Sequence, residues 1–124
     1  MGKYIKNINK EKVIYMFFNR GAGTKKISQK EAKEIMDSRN VTLVDVRTPG
    51  EFSQGYIKGA ILLPLDRLAI DSSKKLPDKE AEIFVYCLSG SRSRSAASLL
   101  VRAGYTNVAN IGGIGSWQYG MTRG

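Results

Sequence analysis

The chain has 124 residues, 42% of them hydrophobic and 25% charged, and carries a net charge of +9, which suits one soluble domain with a modest core. It holds a single cysteine and no histidine. That excludes an internal disulfide, an imidazole base, a His-ligated metal and, within one subunit, a Cys-rich zinc or iron–sulfur centre, so no metal and no cofactor are expected.

The charge is uneven. Residues 1–26 hold seven basic side chains against Glu11 alone, leaving 13 basic and 10 acidic for residues 27–124. The division expected is therefore a basic leader or extra helix, 1–26, and a domain, 27–124. The leader's apolar run, Val13 to Phe18, is far below the roughly 20 residues of a membrane span and just short of a signal-peptide core. As a helix it would place Ile5, Ile8, Val13, Met16 and Phe17 on one side. The expected role is an extra helix packed on the domain; contact with a membrane surface and a flexible tail are the lesser alternatives. No aromatic-rich basic motif accompanies the charge, so no nucleic-acid partner is expected.

From Ser28 the elements follow closely. Ser28 and Glu31 have capping-box spacing, predicting a helix to about Ser38 with Ala32, Ile35 and Met36 on its apolar side. "VTLVDV", 41–46, is β-branched and almost wholly apolar, as in a strand covered on both faces. Thr48-Pro49-Gly50-Glu51 is a second capping box with proline at the first helical position; the short helix ends before Gly55. Residues 60–63 predict a strand, Leu65 to Ala69 one or two helical turns, and 71–80 a polar surface loop. "IFVY", 83–86, is a strand ending at Cys87. After the loop "LSGSRS", Ser93 to Ala103 predicts a helix that stops at Gly104. "NVANI", 107–111, is a last strand, and a short terminal helix holds Trp117. Tyr105, Trp117 and Tyr119 are expected in the core. Alternation of this kind predicts an α/β fold with a mostly parallel central sheet and helices on both faces.

Ligands of open α/β sheets bind at the carboxyl ends of the strands, where Cys87 sits. The loop and helix start that follow offer unpaired N–H groups and the positive end of a helix dipole. A thiol centred there ionises more readily. A lone cysteine is otherwise a small buried hydrophobe; the Gly/Ser loop behind Cys87 favours a reactive thiol.

"LVDVRTPGEFSQGYIKGAILLP" and "VYCLSGSRSRSAASLLVRAGYTNVANIGGIGSWQ" together resemble the rhodanese family of sulfurtransferases. The first resembles its D-V-R, E-F, G-H-I and G-A signature, the second its C-R-x-G-x-R-S active loop, A-x-x-L helix, A-G-Y and closing G-G-x-x-x-W. The resemblance covers roughly residues 27–119 and implies a rhodanese-like fold and a persulfide mechanism. Cys87 would take sulfur from a small anionic donor such as thiosulfate and pass it to cyanide, a thiol or a protein acceptor. The loop Leu88, Ser89, Gly90, Ser91, Arg92 and Ser93 would bind the substrate through its amides, with Arg92 on the anion. Asp45, Arg47 and Arg94 would support the loop from behind, Asp45 pairing with a loop arginine and Arg47 with Glu51. Leu88 replaces the family's arginine after the cysteine, and Tyr56 its G-H-I histidine. Two rival readings are a non-catalytic rhodanese-like module and a cysteine phosphatase or arsenate reductase. The latter needs C-x5-R, and that position here is Ser93.

Overall fold

The structure is a computed structural model and describes residues 24–124. The expectations for the basic segment up to residue 23 lie outside the described residues. Five parallel strands form one sheet: β1 (Lys25–Lys26), β2 (Thr42–Asp45), β3 (Ile61–Leu62), β4 (Ile83–Cys87) and β5 (Val108–Gly113), in the order β1-β5-β4-β2-β3. The helices are α1 (Gln29–Ser38), α2 (Pro49–Ser53), α3 (Leu68–Lys75) and α4 (Ser91–Arg102), with short 3-10 turns at Leu65–Arg67 and Ile114–Ser116. Among the described residues no helix is long and apolar enough to cross a membrane.

Strand periodicity splits the core in two. On β4, Ile83, Val85 and Cys87 face one side and Phe84 and Tyr86 the other, because successive side chains alternate across a sheet. The first side packs against Leu68 and Leu76 of the α3 region and Ala96, Ala97 and Leu100 of α4. The second packs against Ala32, Ile35 and Met36 of α1, with Ile111 and Ile114. All five residues of β4 are buried, the consequence of a central parallel strand covered on both faces.

The caps predicted from Ser28 and Thr48 form. Ser28 Oγ accepts from the Glu31 amide at 3.0 Å. At α2 both halves of the capping box are made: Glu51 N–H donates to Thr48 Oγ1 (3.2 Å) and Thr48 N–H to Glu51 Oε1 (3.0 Å).

Besides β1, a strand whose two residues fall inside the expected leader, three element boundaries differ from the sequence reading. Residues 71–75 are not loop but the body of α3, because Leu68, Ser72 and Leu76, spaced four apart, are buried along one side. The Tyr105 hydroxyl donates into the carbonyls of Leu76 (2.6 Å) and Ser72 (3.1 Å) and closes that helix end, which gives the buried phenol its partner. The second difference is α4, which begins at Ser91, two residues before Ser93, since Gly90 at φ 111° turns the chain directly into the helix. That left-handed angle is open to glycine and costly for other residues. Third, the terminal helix is a single 3-10 turn that ends before Trp117. Trp117 packs partly buried against the α1 side. Tyr119, expected in the core, is 43% exposed and meets Trp117 edge-on.

Candidate active site

Strand β4 delivers Cys87 to the carboxyl edge of the sheet, and the chain then folds over its own sulfur. Gly90 N–H points back at Sγ, 3.0 Å away. Ser93 Oγ stands 3.5 Å from Sγ on the opposite side of the loop. The residue is 1% exposed. Burial pushes the Cys87 thiol up, but the Ser93 hydroxyl and the amides of Ser93, Gly90 and Ser89 outweigh it and bring the thiol below its ordinary value, as hydrogen bonds to a thiolate do.

Two features of β5 make this fold-over feasible. The β4–β5 register slips between Val85 and Cys87, so that Val85 lies opposite Asn110 and Cys87 opposite Gly113. The extra residue bulges the strand and brings a glycine under the loop. A Cβ on Gly113 would stand 2.2 Å from Leu88 O and 2.6 Å from Ser89 Cα. The loop is also tied down by Gly115 N–H, which donates to Leu88 O at 3.1 Å. The second feature is Asn110, whose Oδ1 accepts from Ser93 Oγ (2.7 Å) and from Gly112 N–H (2.9 Å). Asn110 thereby fixes the serine beside the sulfur.

The arginines and carboxylates pair differently from the sequence expectation. Asp45 pairs with Arg47, not with a loop arginine. Arg47 donates to it through Nη2 at 2.7 Å and Nε at 3.0 and 3.1 Å, and through its own backbone N–H at 2.9 Å. Both side chains are buried, and Arg47 Nη2 also donates to Gly55 O at 2.7 Å. Glu51, expected on Arg47, takes Arg92 instead: Nη1 to Oε1 at 2.7 Å and Nη2 to Oε2 at 2.9 Å. The swap has a local cause. Asp45 and Arg47 are i and i+2 at a strand end, close enough to close a ring through the Arg47 amide. Glu51 is held by Thr48 at the start of α2 and faces the first turn of α4, where Arg92 lies.

Of the predicted loop residues, Cys87, Ser89, Gly90 and Ser93 meet around the sulfur. Arg92 reaches the site as a charge held by Glu51. Leu88 turns outward, 48% exposed. Arg94 is exposed as well and lines a cavity with Lys26 and with Ser89, Gly90 and Ser91 of the loop. On the Arg92 side, Val46, Thr48, Pro64 and Leu65 border an open, largely apolar cavity of about 380 Å³. Among the described residues no three His, Cys, Asp or Glu side chains cluster as a metal site would require. The sequence reading missed Asn110, Gly113 and the true partner of Glu51. Asn110 left a trace, a lone amide in the otherwise apolar run "VANI".

The site is a strand-end cysteine whose sulfur accepts from a loop amide at the carboxyl edge of a parallel α/β sheet. Residues 28–119 match the model of the rhodanese-like domain, and the chain belongs to that family. It is 40% identical over 91 residues to a sulfurtransferase of Allochromatium vinosum, covering 73% of this chain and 83% of that protein. With the thiosulfate sulfurtransferase GlpE of Coxiella burnetii it shares 36% over 95 residues, 76% of this chain and 87% of the relative. Among solved structures, the E. coli rhodanese with anions superposes with a TM-score of 0.64 at 33% identity, over 68% of this chain and all of that one. SSP1007 of Staphylococcus saprophyticus gives a TM-score of 0.71 at 29% identity, over 81% and 100%.

Proposed function

We propose that this protein is a sulfurtransferase that carries a sulfane sulfur on Cys87. The single observation behind the reading is the ring of donors around Sγ, with Gly90 N–H at 3.0 Å. Such a ring serves a sulfur that is anionic before and after transfer. The Cys87 thiolate attacks the outer sulfur of thiosulfate. A Cys87 Sγ–S bond forms as the donor's S–S bond breaks, and sulfite leaves with the bonding electron pair. An acceptor, cyanide or a thiolate, then attacks the outer sulfur of the persulfide, and Cys87 departs as thiolate. No proton is taken from carbon or water, so a chain without histidine can run both halves. The relatives named thiosulfate sulfurtransferase support the choice of donor.

Arg92 stands at the site with its fork filled by Glu51, and its charge draws the anionic donor toward the sulfur. Exposed Leu88, carried on the same loop, favours an acceptor with an apolar surface, and so a protein thiol. A mechanism that cycles between thiolate and persulfide suits the reducing cytoplasm.

Mass spectrometry tests the reading. After exposure to thiosulfate the protein gains the mass of one sulfur, and dithiothreitol removes it. Cys87→Ser folds normally and gains nothing. A wild-type protein that stays at its starting mass would identify a binding module instead. Alkylation by iodoacetamide, followed against pH, places the Cys87 thiol below the free value of about 8.5; Ser93→Ala moves it upward. Hydrolysis of an aryl phosphate with no sulfur gain would point to phosphatase chemistry.

A further inference from the structure

Behind the active loop lies a second cavity, of about 550 Å³. It shares no lining residue with the cavity beside Arg92. Its floor comes from the sheet edge and one wall from a helix. Lys26 of β1 and Asn110 of β5 are register partners, and partners in adjacent strands project to the same face. Arg94 and Ser98 of α4 are four residues apart and so lie on one helix face. Ser89 and Ser91 of the loop complete the rim.

The charge is of one sign only. Lys26 and Arg94 are both exposed, and among the described residues no carboxylate lines the cavity or engages either cation. Asn110 adds a second, independent observation. It is 7% exposed, and its Oδ1 is committed to the Ser93 hydroxyl and the Gly112 amide. A backbone N–H can only donate, so the Gly112 contact fixes the oxygen's position and with it that of Nδ2. That NH2 group donates to no described residue, and Asn110 borders the cavity.

We propose that this cavity binds an oxyanion of the phosphate class, free or borne as a monoester by a small molecule. Asn110 Nδ2 would donate from the floor while Lys26 and Arg94 supply charge from the sides. A lone phosphate leaves part of the volume unfilled, which is room for the remainder of an ester.

The test titrates the full-length reduced protein with inorganic phosphate, and separately with adenosine monophosphate, following the Asn110 side-chain amide by NMR. A saturable shift is expected. Arg94→Gln and Lys26→Gln each weaken binding by about tenfold, the scale of one charge-assisted contact, whereas Arg92→Gln leaves it unchanged. Equal affinity for both probes assigns the site to the free ion, and tighter binding of the nucleotide assigns it to a monoester; both support the oxyanion site. Asn110→Leu also removes the acceptor of Ser93 and disturbs the fold, so the two surface variants decide. The proposal is overturned by the absence of a saturable shift, by a shift indifferent to both variants, or by one that Arg92→Gln abolishes.

Discussion

Two arginine–carboxylate pairs flank the Cys87 loop, built from the same groups with contact distances near 2.7 Å. They differ in solvent. Asp45 and Arg47 have 0% and 5% of their side chains exposed, Glu51 and Arg92 about 29% and 32%. The buried pair also satisfies backbone, through Arg47 N–H and Gly55 O, and Arg47 lies 5.8 Å over the Tyr86 ring. It thus fastens the end of β2 to the chain leaving α2. The half-exposed pair spans two elements, α2 and α4, and holds the loop's arginine. Burial turns one ion pair into scaffold and leaves the other as a catch that water and anions can reach.

The largest effect should come from breaking the buried pair. Asp45→Ala strands the Arg47 guanidinium in the interior and is expected to cost about 3–5 kcal/mol, the range for an uncompensated buried charge. Urea unfolding measures it. Replacing both partners, Asp45→Leu with Arg47→Met, should recover most of the loss, because the penalty lies in the orphaned charge rather than in the missing attraction. A cost near that of a surface pair for Asp45→Ala would erase the distinction drawn between the two.

Next comes the contact that sets the loop over the sheet. Gly113→Ala puts a methyl 2.2 Å from Leu88 O. Neither backbone can yield cheaply, so a cost of about 1–3 kcal/mol is expected, as for overpacking. The Gly90 amide should retreat from Sγ in the same step, and the alkylation profile of Cys87 should shift upward in pH. Loss of stability without that shift would mean that β5, and not the loop, had given way.

The sequence made the scaffold legible where local rules act. Thr48 and Glu51, three positions apart and just after β2, announced α2, and the apolar runs of β2 and β4 announced a sheet covered on both faces. Cys87 was legible as a reactive thiol because a Gly/Ser loop follows it at a strand end. What escaped the reading was long-range. Whether Glu51 pairs with Arg47 or with Arg92, 41 residues away, depends on how α2 and α4 lie together. The bulge that sets Gly113 under Leu88 exists only once β5 pairs with β4. Ser72 hid α3 because a buried serine reads as surface until a helix carries it inward.

The smallest effect concerns the exposed pair and depends on pH. Arg92 first, then the Thr48 amide, hold the Glu51 carboxyl down to about 2, from an ordinary value of 4.5. A carboxylate depressed in the folded state adds stability that is fully present above its unfolded value and disappears as pH falls through the folded one. For Glu51 that window runs from about 4.5 down to about 2. Glu51→Gln should therefore cost only about 1 kcal/mol at neutral pH, since solvent screens the pair. The gap between wild type and variant should narrow through the window and close at its lower end, read by urea unfolding at each pH. The same substitution frees the Arg92 fork for a donor's oxygens, so KM for thiosulfate should fall while the sulfur gain on Cys87 persists. A gap that stays constant down to the lower end of the window would assign Glu51's contribution to the shape of the α2 cap rather than to its charge on Arg92, and an unchanged KM would show that the catch does not govern entry of the donor.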